Sequence, residues 1–146
     1  MRKISVEFIV GLFLLTGIAA ITYLSVVISG VSGFGDNGYR LMAKFRNSSG
    51  LKRGAVIEIA GVKVGQVASI SLDKKTQESL IWLEIDKGIE IQDDAIASIR
   101  TAGIIGDKFI KISTGGGELL VDGEEIIETE PAISIEELVS KYIFDK

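Results

Sequence analysis

The side chains of this sequence that could carry chemistry are carboxylates, amines and hydroxyls, because its 146 residues include neither cysteine nor histidine. This composition excludes zinc sites of the Cys/His type, thiol catalysis and a Ser-His-Asp triad. A catalytic site would have to use two carboxylates flanking one bond. The adjacent pairs Glu124-Glu125 and Glu136-Glu137 do not suit this role, since neighbouring side chains on a strand or helix point apart.

Two other features resemble ligand sites only in part. The glycine run from Gly115 to Gly117 could cradle a phosphate, but no Lys-Ser or Lys-Thr follows it, and no GxGxxG motif opens a helix. The pair Asp93-Asp94 lacks the alternating oxygen ligands and central glycine of a calcium loop. We therefore expect a hairpin loop and a polar turn, with no metal and no cofactor.

The charge balance argues against nucleic acid as a partner. The chain has 16 basic and 20 acidic residues, which gives a net charge of -4. A nucleic-acid-binding protein needs clustered positive charge to neutralise phosphates. We expect no nucleic acid partner.

An unusual apolar pair stands in a predicted loop. Gly103 and Gly106 flank two adjacent β-branched residues, Ile104 and Ile105, at a position where polar residues are usual. The pair either folds back onto the core or is presented as an interaction surface when several copies gather it into one patch. The residue physics by itself favours burial.

The segments that must position this loop alternate between apolar and polar residues with period two, which is typical of half-buried strands. About seven short strands, with no helical periodicity between them, predict an all-β domain over residues 39–130, a compact antiparallel seven-stranded barrel or sandwich. Asp122-Gly123 is a hairpin signal between the last two of these segments. Trp82, which faces away from its apolar strand neighbours, predicts either packing on the second face or an interface anchor.

The N-terminal segment predicts a transmembrane helix. Residues 8–28 carry no charge, and a helix of this length spans roughly 30 Å of hydrocarbon. Arg2 and Lys3 precede it, whereas residues 29–39 are free of basic side chains, so the positive-inside rule places residues 1–7 in the cytoplasm. Residues 29–38 read as a flexible linker. The apolar run is longer than the ~7 to 15 residues usual in a cleaved signal peptide, which favours a retained anchor.

The C-terminal residues 131–146 change to a helical period. Ser134 and Glu137 form a capping box, and an apolar stripe follows at helical spacing. The stripe consists of Ile135, Leu138, Val139, Tyr142 and Ile143. A helix of about ten residues is marginal alone, so something must cover this stripe. Its own domain and copies from neighbouring chains are equally good candidates.

Two separated motifs resemble the MCE (mammalian cell entry) domain family, most closely its short, single-domain MlaD type. The first reads Phe45-x5-Leu51-Lys52-x-Gly54-Ala55, then Ile59-x-Gly61-Val62-x-Val64-Gly65-x-Val67-x-x-Ile70, and the second reads Gly103-Ile104-Ile105-Gly106-x-x-Phe109-Ile110-x-Ile112. Both motifs occur in order behind a single predicted membrane span.

The resemblance implies a function and an assembly. It implies a ring of six subunits, anchored in the inner membrane beside an ABC permease and its ATPase, with the β-domain in the periplasm. A central hydrophobic channel would conduct phospholipid, and the residues matching the family's channel lining are Ile104 and Ile105. The stripe residues would serve the oligomer. Isoleucine stands here where many relatives carry leucine, a similar volume with a stiffer first torsion.

Two rival functions are compatible with parts of the sequence. A membrane-anchored periplasmic adaptor or scaffold without lipid conduction would also explain the anchor, the acidic surface and the missing catalytic groups. An enzyme acting through carboxylates would require a strongly perturbed Asp/Glu pair in a cleft.

Overall fold

The computed structural model describes residues 5–28 and 38–144, and the chain divides into two compact units, Met1–Asp36 and Asn37–Lys146. The first unit contains helix α1, Val6–Ile28, which begins two residues before the predicted span. It is the one described helix that is long and apolar enough to cross a membrane, with a mean hydropathy of 2.2. Arg2, Lys3 and residues 29–37 of the predicted linker lie outside the described residues.

The polar groups of α1 are compatible with a hydrocarbon surrounding. The hydroxyls of Thr16 and Thr22 donate to the carbonyls of Leu12 and Ile18, each at 2.8 Å. A hydroxyl in lipid costs free energy unless it has a partner, and a backbone carbonyl one turn earlier supplies that partner. No described side chain of α1 is buried within the chain, which leaves the whole apolar surface available.

The second unit is mostly β-structure and ends in a helix. Its elements are β1 Tyr39–Phe45, β2 Val56–Ile59, β3 Val62–Leu72, β4 Ser79–Ile85, β5 Ile96–Thr101, β6 Lys108–Ser113, β7 Glu125–Ile126, β8 Glu128–Glu130 and α2 Ile135–Phe144. The prediction of an all-β domain that is preceded by an apolar helix and followed by a short one is confirmed.

The strands form one sheet that nearly closes into a barrel, in the order β7-β1-β4-β3-β2-β6-β5-β8. The closure depends on a single short segment, because β7 pairs with β1 and β8 pairs with β5, and only Ile127 separates β7 from β8. The Thr129 hydroxyl also donates to the Lys44 carbonyl at 2.6 Å. One segment thus covers both edges of the sheet, which would otherwise be open to pairing with other chains.

The strand count and the pairing differ from the sequence prediction. The sheet has eight strands rather than seven, and three pairs, β1–β7, β2–β6 and β5–β8, are parallel. Asp122-Gly123 does form a turn, but the segment before it makes only an isolated bridge through Leu119 to Gln92, not a strand paired with β7. The reason is that the residues after the turn satisfy the two open edges instead of folding back on their neighbours.

The core lies inside the barrel and follows the period-two pattern. Ile81, Leu83 and Ile85 of β4 are fully buried, whereas the alternate residues of that strand are half-buried. Trp82 is among those half-buried residues and pairs with Met42 across β1, so it packs on the second face of the sheet. The same inward alternation continues around the barrel. Its other fully buried large side chains are Leu41, Phe45, Ile57, Val67, Ile91, Ile110, Ile112 and Ile126.

Candidate functional site

The loop between β5 and β6 is a short, closed connection. Thr101 and Lys108 are the last pair of the antiparallel β5–β6 ladder, and beyond them the Ala102 N–H donates to the Asp107 carbonyl at 3.0 Å. The loop's ends are therefore held by the sheet. Asp107 also accepts an ion pair from Lys52 at 3.4 Å, although both side chains are largely exposed. Such an exposed pair contributes little to stability.

Both glycines of the loop have a geometric role. Gly103 has φ +72°, a left-handed conformation that glycine adopts at no steric cost. Gly106 has no room for a side chain, because a Cβ there would collide with the Ala102 carbonyl oxygen. The backbone path thus needs Gly103 and Gly106, and it determines how the two residues between them are presented.

Ile104 and Ile105 are solvent-exposed in the chain. Their exposed fractions are 79% and 98%, whereas Ile110 and Ile112 on the following strand are buried. The burial that residue physics favoured is wrong, because a loop held shut at its base projects its tip away from the sheet. An exposed pair of isoleucines on a well-held loop is typical of a surface that contacts another apolar body.

A cleft of about 600 Å³ lies at the base of this loop. It is formed by the segment that enters and includes β2 and by the residues on both sides of the loop. The lining residues are Gly50, Lys52, Arg53, Gly54, Ala55, Val56, Glu58, Thr101, Ala102, Gly103, Asp107, Lys108 and Phe109. Parallel pairing of β2 with β6, in which Ile57 is opposite Ile110, brings these distant segments together. The cleft could not be predicted from the sequence, since nothing local signals that pairing.

The apolar stripe of α2 is not covered by the described chain. No residue of the helix is buried, and the exposed fractions of the five stripe residues range from 50% to 84%. The helix starts as predicted, with the Glu137 N–H donating to the Ser134 hydroxyl at 3.3 Å. Packing on its own domain, one of the two candidates, is therefore not observed.

The loop and α2 share one polar contact. The Lys108 ammonium donates to the Thr101 hydroxyl at 2.9 Å and to the Ile133 carbonyl at 3.2 Å, two residues before α2 begins. The structure thus brings together the base of the Ile104-Ile105 loop and the start of the helix.

The acidic pair and the glycine run form a structural clasp rather than a ligand site. The Asp94 carboxylate accepts N–H groups from Gly116 and Gly117, both at 3.0 Å. These bonds favour the ionised form and hold the pKa of Asp94 below its usual value. Among the described residues, 5–28 and 38–144, no group of three or more Asp or Glu side chains is arranged to hold a metal ion.

Comparison with known proteins assigns the chain to a family. The family model described as MlaD protein matches residues 37–115. The chain is 34% identical over 149 residues to the intermembrane phospholipid transport system binding protein MlaD of Haemophilus influenzae, which covers 98% of this chain and 89% of that protein. It is also 34% identical to the protein of the same name from Escherichia coli K12, over 94% of this chain and 80% of that one.

The fold agrees with a solved assembly. A chain of the Acinetobacter MlaFEDB complex, in an ATP-bound conformation, superposes with a TM-score of 0.73 and 25% identity, covering 96% of this chain and all of that one. The three matches cover between 94% and 98% of this chain. Because the family model covers residues 37–115 and two curated relatives are 34% identical over almost the whole chain, this chain belongs to the MlaD family of MCE-domain proteins.

Proposed function

We propose that this protein is the membrane-anchored periplasmic subunit of a phospholipid ABC transport system. In this proposal it forms a homohexameric ring whose central hydrophobic pore conducts lipid between membranes, next to a permease and an ATPase. The relatives from Haemophilus and Escherichia bear the name of such a transport system's binding protein, and the solved neighbour is part of an ATP-bound complex. The N-terminus is cytoplasmic and the barrel periplasmic.

The observation that carries the proposal is the exposure of Ile104 and Ile105 on a loop whose geometry is held by the sheet. A single domain with a filled core has no interior for a lipid tail. Several copies arranged around an axis could gather their loops into one apolar constriction, which supplies the enclosure that one chain lacks. In the ring, these two side chains line the pore.

The physics of the task needs no catalytic group. Moving an acyl chain through water is a burial problem, because each methylene shielded from water is worth ~0.8 kcal/mol. An apolar lining therefore stabilises the tail in transit by exclusion of water and by dispersion. The free energy for extracting the lipid from a membrane comes from the ATPase partner, so this chain acts without chemistry of its own.

The proposal is tested by replacing both loop isoleucines with asparagine. Ile104→Asn/Ile105→Asn should abolish lipid transfer in a reconstituted system, because amide side chains keep water in the constriction. The melting temperature should stay close to that of the unmodified protein, since exposed substitutions usually change stability by no more than about 0.5 kcal/mol. Transfer between labelled vesicles and thermal unfolding are measured on the same preparation.

Two controls separate the loop from general effects of the same substitution. Ile127→Asn changes an exposed isoleucine outside the loop, 76% exposed, and should leave both transfer and melting unchanged. Ile110→Asn/Ile112→Asn buries two unpaired amides and should cost several kcal/mol. If the loop variant melts like the buried control, the isoleucines belong to a core. If it transfers lipid normally, they do not line the pore.

The uncovered stripe on α2 also suits a scaffold that only holds other envelope proteins. Lipid extracted from the protein purified in mild detergent, identified by mass spectrometry, supports transport. A stoichiometric protein partner without lipid supports the scaffold.

A further inference from the structure

The cleft at the base of the loop is cationic within an acidic protein. It contains Lys52, Arg53 and Lys108 against the carboxylates of Glu58 and Asp107, whereas the whole chain has a net charge of -4. A local reversal of charge in a concave site attracts anions more strongly than scattered surface lysines do.

Of the two carboxylates, only Asp107 makes an ion pair with a described residue. Asp107 pairs with Lys52 at 3.4 Å. Glu58 lies opposite Lys63 on β3 and opposite Lys111 on β6 in the strand register. Neither carboxylate is paired with Arg53 or Lys108. Arg53 and Lys108 thus make no ion pair in the described part of the cleft, and with Lys52 they give it three positive charges against two negative ones.

Of the two residues, Lys108 is better placed to bind an anion. Lys108 is half-buried, and its ammonium donates to two neutral acceptors, the Thr101 hydroxyl and the Ile133 carbonyl. An ammonium has three donors, so one remains for a ligand. Because Lys108 is half-buried and makes no ion pair with a described residue, its attraction for an anion is screened less than that of a fully exposed lysine.

Arg53 supplies a planar donor to the same cleft lining. It stands in the turn that the Ala55 N–H closes by donating to the Lys52 carbonyl at 3.1 Å. Its side chain is exposed, and within residues 5–28 and 38–144 its guanidinium makes no ion pair or hydrogen bond. A guanidinium can bind a phosphate in bidentate fashion.

The remaining lining is apolar and continues into the loop. Val56 and Phe109 are half-buried, and Ala102 and Gly103 lead directly to Ile104. The volume of about 600 Å³ lies within the range of roughly 300 to 1,000 Å³ that is usual for small-molecule sites. A ligand with an anionic group and an apolar continuation fits this arrangement better than a free anion does.

We propose that this cleft binds the phosphate of an anionic phospholipid headgroup, with Arg53 and Lys108 as its contacts, beside the loop that carries the apolar pair. The inference rests on the proposed lipid function and adds selectivity for a negatively charged headgroup. The phosphate is held at the base of the loop, and the acyl chains lie next to Ile104 and Ile105. A zwitterionic headgroup is disfavoured, because its ammonium would approach Arg53 and Lys108, which make no ion pair with a described residue.

The test uses the full chain in phosphatidylcholine nanodiscs and isothermal titration calorimetry, with empty nanodiscs as the blank. The probes are dihexanoyl phosphatidylglycerol, dihexanoyl phosphatidylcholine and glycerol 3-phosphate. The unmodified protein should bind dihexanoyl phosphatidylglycerol about tenfold more tightly than dihexanoyl phosphatidylcholine. It should also bind dihexanoyl phosphatidylglycerol more tightly than glycerol 3-phosphate. Arg53→Gln/Lys108→Gln should reduce the preference to about twofold or less.

Two further variants keep the test independent of folding. Arg53→Gln by itself removes no described contact, so it should lower the preference without changing the melting temperature. Lys74→Gln makes the same change of charge at an exposed site outside the cleft and should leave the preference intact.

The outcomes distinguish this inference from the proposed function. Equal binding of the two lipids by the unmodified protein, or an unchanged preference in the double variant, overturns the headgroup site and leaves lipid binding standing. Glycerol 3-phosphate binding as tightly as the lipid shows a general anion site, which also overturns it. A fall in particle mass in the variants shows that the cleft contacts a neighbouring copy instead. If neither lipid binds the unmodified protein, the proposed function itself fails.

Discussion

At the scale of single residues, Gly106 controls the shape of the candidate pore loop more strictly than its isoleucines do. The Cβ of any other residue would meet the Ala102 carbonyl, which is backbone and cannot rotate away as a side chain could. The same turn of chain carries the Ala102 to Asp107 hydrogen bond. Substitution at this position must therefore move the loop, whereas substitution of Ile104 changes only what the loop presents.

We predict that Gly106→Ala lowers lipid transfer by at least about tenfold and destabilises the β-domain by about 1 to 3 kcal/mol, because it forces a rearrangement of a held loop. Gly116→Ala is the matched control. A Cβ at Gly116 would meet no atom within 4 Å, and its N–H would still reach the Asp94 carboxylate. Transfer and thermal unfolding are compared for the two variants. Normal transfer by Gly106→Ala would show that the loop's conformation does not matter for lipid passage.

At the scale of elements, α2 is connected to the barrel by a segment that belongs to the barrel. Ala132 is buried and its N–H donates to the Asn47 carbonyl at 2.9 Å, and Ile133 accepts the bond from Lys108. The helix itself buries nothing. Since an isolated helix of ten residues is marginal, we propose that neighbouring copies cover the apolar stripe.

We predict that truncation after Ser134 reduces the mass of the detergent-solubilised particle while leaving the melting transition of the β-domain in place. A cut after Pro131 would also remove the contacts that Ala132 and Ile133 make with the barrel, so a change in mass or melting could not be assigned to α2. Leu138→Glu should also reduce the mass of the particle. Glu137→Gln changes the neighbouring residue, which is not part of the apolar stripe, and should leave the mass unchanged. An unchanged mass in both the truncated protein and Leu138→Glu would mean that other surfaces hold the oligomer together.

At the scale of the whole molecule, the chain combines an apolar helix with a barrel that has few exposed edges. The 23 residues of α1 are enough for one membrane crossing, and the segment Glu125–Glu130 covers the two edges of the sheet. A barrel whose edges are paired avoids uncontrolled strand addition, so association must proceed through side chains. Loops and helix stripes, rather than strand edges, are then the surfaces available to an oligomer.

We predict that native mass spectrometry of the particle released from mild detergent gives six times the mass of one chain, with additional mass from bound phospholipid. On dissociation, each chain should have a mass near 15.7 kDa, because the N-terminal anchor is retained. A chain shorter by about the first 30 residues would show that the apolar segment is a cleaved signal, since such segments are removed during export. A monomeric particle would remove the pore mechanism.

The sequence by itself determined the two helices, the β-rich domain between them and most of its strands, although not the strand count. A 21-residue uncharged run, period-two strands and a period-3.6 stripe each carry their signal locally, because one side of every element must face an apolar surrounding. The two motifs then pointed to the family. Gly103 and Gly106 could also be identified as a loop signal from the sequence alone.

Tertiary structure decided which elements pair and which side chains they expose. The parallel pairings of β2 with β6 and of Glu125–Glu130 with both sheet edges join segments far apart in the chain, and no local pattern encodes such contacts. The exposure of Ile104 and Ile105 was decided in the same way, since β-branched residues favour burial unless the backbone carries them outward. The cleft with Arg53 and Lys108 exists only because two distant strands are neighbours, so charge at separate positions becomes one site.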